Sequence, residues 1–201
     1  MGATATVVLA AGAGTRFDGS THKLASALAD GTSLARRAVE VALAAAVGPV
    51  GVVVGAVDAA RLDLPAGATV IANPVWADGQ ATSLQAAVRW AGGAGHDAVV
   101  VALADQPGLT TSAWRAVAAA TATPVAVATY DGRRGHPVRL GEAAWPLLPT
   151  TGEEGARSVL RARPELVTEV PCAGDPADID TAADLARWHA AHPTDGPGHA
   201  R

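Results

Sequence analysis

Hydrophobic positions along the chain fall into short continuous runs, separated by stretches in which apolar residues recur with the period of a helix. Val7, Val8 and Leu9 form one such run, flanked by alanine, which is the pattern of a strand buried on both faces of a parallel sheet. Ser33 is a suitable N-cap, and Leu34, Ala38, Val41, Leu43 and Ala45 predict a helix to about Val47, where Gly48-Pro49 stops it. Val50 to Val54 and Thr69 to Ala72 read as strands, Gln80 to Trp90 as a helix, and Ala98 to Ala104 as a further strand. Ser112 to Ala120 reads as a helix, Val125 to Thr129 as a strand, Tyr130 to Leu140 as a short β-ribbon around a glycine turn, and Thr181 to Trp188 as a last helix. This alternation predicts a single α/β domain: a Rossmann-like, three-layer α/β/α arrangement with a mostly parallel sheet and a small β-ribbon insertion. The domain is expected to span residues 1–192, with 193–201 as a disordered tail. Ligands of such a fold sit beyond the carboxyl ends of the strands.

Composition narrows the picture. At 201 residues, 49% hydrophobic and 17% charged, the chain can bury one good core. A net charge of −4 argues against a broad nucleic-acid surface, so any anion is held locally. The single cysteine, Cys172, excludes an internal disulfide framework and a cysteine-based metal site, and reads as a small buried hydrophobe. The amino terminus has no basic region before its apolar run, and no apolar stretch reaches the roughly 18 to 20 residues of a membrane span. The expectation is a cytoplasmic protein without a membrane partner.

The strand ends carry the chemistry. After Leu9, Ala10 and Ala11, Gly12 and Gly14 remove side chains where the chain leaves its first strand, so backbone N–H groups can approach an anion. Arg16 and Lys23 add positive charge nearby, although the spacing is neither GxxxxGK[ST] nor GxGxxG. Asp105, in Leu103-Ala104-Asp105-Gln106-Pro107, ends a strand at the same sheet edge. A hard oxygen ligand beside a phosphate loop suits Mg²⁺, the alternative being an Asp that caps the following turn. Asp178-Ile179-Asp180 puts two carboxylates on one side of an extended segment, and Asp180 could instead cap the last helix. Between them, Asn73, Gln80 and Ser83 offer hydrogen bonds to base edges or hydroxyls, and Gly79 allows close approach to a flat ring. An ordinary turn and helix start, with Thr82 or Ser83 as cap, is the structural alternative.

Taken together, LAAGAGTRF with Lys23 downstream resembles the signature loop of the nucleotidyltransferases that activate sugars and cofactors, in particular the MobA-like group handling molybdenum cofactor. The resemblance runs from Val7 to Leu185 with its motifs in family order. It implies a nucleotide site formed by Leu9, Ala10, Ala11, Gly12, Gly14, Lys23, Asn73, Gly79 and Ser83, and catalytic roles for Arg16, Lys23 and Asp105. It also implies Mg²⁺ on Asp105 and on Asp180 of the DIDT segment, with Asp178 as the substitute ligand. The RGHP stretch, with Arg134, Gly135 and His136, resembles a motif on the acceptor side, and Gln106 and Arg157 are expected there too. Glu153 departs from the acid usual in the segment containing Arg157. The implied partners are a nucleoside triphosphate, a phosphorylated acceptor of molybdopterin type and a recipient molybdoenzyme. Ala11 is like the cytidylyltransferase branch, whereas the guanylyltransferases usually carry glycine there. Rival readings are guanylyl transfer to a phospho-acid or sugar phosphate, and a non-catalytic accessory that delivers cofactor.

Overall fold

The computed structural model describes residues 3–18 and 21–193; most of the expected tail, 194–201, lies outside them. Strands β1 (Thr4–Ala10), β2 (Val50–Val54), β3 (Ala68–Ala72), β4 (Ala98–Leu103), β5 (Val125–Tyr130), β6 (Arg133–Gly141) and β7 (Val167–Pro171) form one sheet in the order β3-β2-β1-β4-β6-β5-β7. Only β6 runs antiparallel to its neighbours, β4 and β5. Helices α1 (Leu34–Ala45), α2 (Gln80–Gly93), α3 (Thr111–Ala119), α4 (Arg157–Ala162) and α5 (Ala182–Ala191) complete the fold. Among the described residues no helix is long and apolar enough to cross a membrane.

The continuous apolar runs are buried because both faces of the sheet are covered. Alternate residues along a strand point to opposite faces, so Val8, Ala10, Val52, Val54, Val100 and Ala102 pack with residues of α1 and α3. Val7, Leu9, Val53, Val99 and Val101 pack on the other side with Leu84, Ala87 and Ala91 of α2 and with Val159 and Leu160 of α4. Three layers follow from that division.

Helix ends match their local chemistry. The Ser33 hydroxyl accepts from the Arg36 amide at 3.1 Å and starts α1, which ends at Ala45 before a left-handed Ala46. α5 carries a capping box, in which the Thr181 hydroxyl accepts from the Asp184 amide while the Asp184 carboxylate accepts from the Thr181 amide. That arrangement relieves Asp180 of a capping role.

Two segments differ from the sequence expectation. The ribbon is more than an appendage: its tip turns through Asp131 and Gly132, both with positive φ, but the nine-residue β6 runs on into the main sheet, where Val138, Arg139 and Leu140 pair with both β4 and β5. The edge strand β7 has no fully buried residue, so its sequence lacks the apolar run that marks the central strands.

Candidate active site

At the carboxyl ends of β1 and β4 the chain encloses a cleft of about 600 Å³, lined by residues 9–16, Lys23, Gly79, Ser83, Asp105, Arg157, Asp178 and Asp180 among others. The first wall is the loop after β1. Gly14 has φ +64°, a conformation that side chains strain to adopt, while Gly12 faces open space. Among the described residues the backbone amides of residues 12–16 donate to no protein acceptor. An anion is the partner such a row of N–H groups accepts.

His22 braces this loop. Its Nδ1 accepts from the Leu24 amide at 3.2 Å, so the proton is on Nε2, which lies 3.2 Å from the Gly12 carbonyl oxygen and donates to it. Burial lowers its pKa, against the raising effect of the Gly12 and Ala13 carbonyls. The residue carries no motif of its own, so only its contacts reveal the role. It sets the position of Lys23, the next residue.

The second wall holds the carboxylates. Asp105 leaves the buried end of β4, and the Ile179 amide donates to the Asp105 carbonyl oxygen at 2.9 Å, laying the 178–180 strip beside it. Ile179 is buried in a cluster with Leu28 and Leu34, and alternation therefore turns Asp178 and Asp180 toward the cleft, which both line. Lys23 Nζ donates to Asp105 Oδ2 at 2.7 Å and to Asp180 Oδ1 at 2.9 Å, and Arg16 Nη1 lies 2.9 Å from Asp180 Oδ2. Burial would lower the Lys23 pKa, but Asp105 and then Asp180 outweigh it and raise it. Asp178 is pushed up, chiefly by burial and then by the Asp105 charge. Among the described residues, buried Asp105 Oδ1 has no hydrogen-bond partner. Among the described residues no group of three or more His, Cys, Asp or Glu has the geometry of a metal cage. Two carboxylates beside a row of free amides could nonetheless hold a hard divalent cation, which takes few protein oxygens.

A second cavity of about 470 Å³ adjoins the first, with Leu9, Gln80, Arg157 and Asp178 lining both. Leu84, Val101, Val127, Val138, Leu140 and Leu160 give it an apolar lining, and Arg133, Arg134, Arg157 and Arg161 add positive charge. Gln106, Gly135 and His136 line it as well. Burial and then the Arg157 charge hold the His136 imidazole down at about 4, so the half-buried ring is neutral near pH 7. Arg134 is anchored, with Nε donating to Glu169 at 2.7 Å and Nη1 to the Leu160 carbonyl at 3.0 Å. Gln106 Nε2 donates to the Pro176 carbonyl at 3.0 Å, while its buried Oε1 has no partner among the described residues.

Three residues expected at the nucleotide have structural contacts of their own. Asn73 is 2% exposed and absent from the lining of both cavities; its Nδ2 donates to Thr82 Oγ1 and Ser83 Oγ at 2.9 and 3.0 Å, fixing the start of α2. Ser83 reaches the first cleft, but with an oxygen engaged by that amide. Gly79 also lines the cleft, yet its φ is +105° and a Cβ would lie 2.4 Å from the Gly152 carbonyl carbon. Glycine is demanded there by the backbone of residue 152.

A family model described as the MobA-like NTP transferase domain matches residues 6–167. The chain belongs to this family. Nicotine blue oxidoreductase of Paenarthrobacter nicotinovorans is 31% identical over 196 residues, covering 90% of this chain and 94% of that protein. Among solved structures, the homologue of Mycobacterium tuberculosis rv0371c from Mycobacterium sp. strain JC1 superposes with a TM-score of 0.78 at 24% identity, covering 94% and 96% of the two chains. A nucleotidyl transferase from Methanothermobacter thermautotroptrophicus superposes at 0.76 with 22% identity, covering 92% and 94%. These likenesses establish the nucleotidyltransferase fold for this MobA-like chain.

Proposed function

We propose that this MobA-like protein transfers a nucleoside monophosphate, CMP from CTP, to the phosphate of a molybdopterin-type acceptor and releases pyrophosphate. The observation that carries the reading is the convergence of the unpaired amides of residues 12–16, Lys23, Arg16, Asp105 and Asp180 on one cleft. The amides and the two cations suit a triphosphate, and the adjoining cavity suits an acceptor with an apolar body and an anionic group. An acceptor phosphate is already anionic near neutral pH, so its oxygen can attack the α-phosphorus without a strong base, breaking the bond to pyrophosphate. Catalysis is then positioning and charge stabilisation, which matches a site of Gly, Lys, Arg and Asp without a Ser–His pair.

Asp105 and Asp180 would hold Mg²⁺ through Asp105 Oδ2 and Asp180 Oδ1, the oxygens that converge on Lys23 at the cleft, a donor set that suits a hard ion. When bound, the ion supplies Lewis-acid polarisation of phosphate oxygens. Arg16 and Lys23 neutralise the polyphosphate, Arg157 holds an anion where the two cavities meet, and neutral His136 orients the acceptor without exchanging a proton. Ala11 supports a pyrimidine: it is buried and packs in one wall with Gly55 and Trp76, where a Cβ on Gly55 would meet both at under 3 Å. The added methyl narrows the base side of the cleft.

One finding favours a second reading, reductive chemistry with a dinucleotide in the same cleft: the relative matched over 90% of this chain bears an oxidoreductase name. The assay that separates the two incubates the protein with Mg²⁺, each of CTP, GTP, ATP and UTP, and a molybdopterin acceptor. Pyrophosphate release is expected with CTP, and Asp105→Asn is expected to lower it at least about 100-fold while circular dichroism stays unchanged. Turnover retained in Asp105→Asn would remove the assignment. Oxidation of a reduced nicotinamide dinucleotide without pyrophosphate release would favour the second reading.

A further inference from the structure

Lys23 is the chain's single lysine, and its side chain is 10% exposed. Its ammonium lies between one oxygen of Asp105 and one of Asp180, the two residues assigned above to Mg²⁺. A divalent ion binds carboxylate oxygens at about 2.1 Å, inside the 2.7 and 2.9 Å contacts that the ammonium makes to the same atoms. The two cations would overlap and repel, so the shared oxygens can hold one or the other. Lys23 is also held in place from behind, because His22 is fixed to both Gly12 and Leu24.

The neighbouring loop offers the ammonium a different partner. Residues 12–16 present amides without a partner among the described residues in the same cleft, and an anion bound there would compete for the Lys23 charge. We propose that Lys23 is an internal cation that closes the Asp105–Asp180 pair and yields it to a divalent ion only when a polyphosphate draws the ammonium away. Metal and triphosphate then load together, and the protein alone has low affinity for the ion. The inference rests on the assignment of Asp105 and Asp180 to the metal, and deepens it by naming the group that controls access.

The test is Mn²⁺ binding, read from the electron paramagnetic resonance signal of the free ion, with no nucleotide present. Lys23→Met is expected to bind Mn²⁺ at least about tenfold more tightly than the wild type, and adding Asp105→Asn to it should remove the gain. Arg16→Met deletes a positive charge beside the same Asp180 without unblocking the shared oxygens, and should change affinity less than about threefold. Lys23→Gln, which keeps an amide between the carboxylates, repeats the measurement should the methionine variant fold poorly. Equal Mn²⁺ affinity in wild type and both Lys23 variants, or an equal gain in Arg16→Met, would overturn the proposal. Tightened Mn²⁺ binding in Lys23→Met with no pyrophosphate release by the wild type would instead remove the transfer reading and leave this one standing.

Discussion

Acidification should destabilise the protein through His136. The folded chain holds its imidazole at about 4, against 6.5 for the ordinary side chain, because the ring is buried at the second cavity and faces the Arg157 charge. A base whose folded pKa is lowered is neutral in both states above pH 6.5, where its full contribution is present. As the pH falls through 6.5 the unfolded chain takes up a proton that the folded chain refuses, and stability is lost until the folded group titrates near 4. At ~1.36 kcal/mol per pH unit the interval corresponds to about 3 kcal/mol, and water reaching the half-buried ring reduces this to roughly 1–3 kcal/mol. Urea unfolding at about pH 7 and about pH 4.5, for the wild type and His136→Gln, isolates the effect from His22, whose lowered pKa acts with the same sign. The wild type should lose more stability than the variant by that amount. A His136 resonance titrating at or above 6.5, or equal losses in the two proteins, would refute the reasoning.

Other consequences follow from single contacts. Gly79→Ala puts a methyl within 2.4 Å of backbone at Gly152, in a chain with φ +105°, where no flexible side chain can give way. It should cost at least about 2 kcal/mol and lower Tm by roughly 4–8 °C; an unchanged melting curve would contradict the described contact between these loops. Arg157 is exposed and has no ion pair among the described residues, so Arg157→Ala should leave Tm within about 1 °C. The same variant should raise the KM of an anionic substrate about tenfold at unchanged kcat. Loss of stability without a change in KM would make Arg157 a packing residue.

The local pattern of the sequence settled most of the elements. Val7 to Leu9 and Val50 to Val54 read as strands covered on both sides, Ser33 could serve as a cap without help from distant residues, and the glycines marked where the chain leaves β1. The alternation of Asp178, Ile179 and Asp180 already placed two carboxylates on one side, and the fold supplied the Leu28–Leu34 cluster that anchors Ile179. Short-range periodicity encodes which face is buried, so such features are legible without a partner in view.

What the tertiary structure alone decided involves residues far apart in the chain. β6 reads as half a ribbon because its outer residues are exposed; only the space between β4 and β5 makes it a central antiparallel strand. The approach of the Gly152 backbone to Gly79, which also lines the cleft, and the bonds from Asn73 to Thr82 and Ser83 at the start of α2 come from the fold. Lys23 meets Asp105 and Asp180 across 82 and 157 residues of sequence. No local pattern records such a meeting, because it arises only when parallel strands bring their carboxyl ends, and the loops that follow them, to one edge of the sheet.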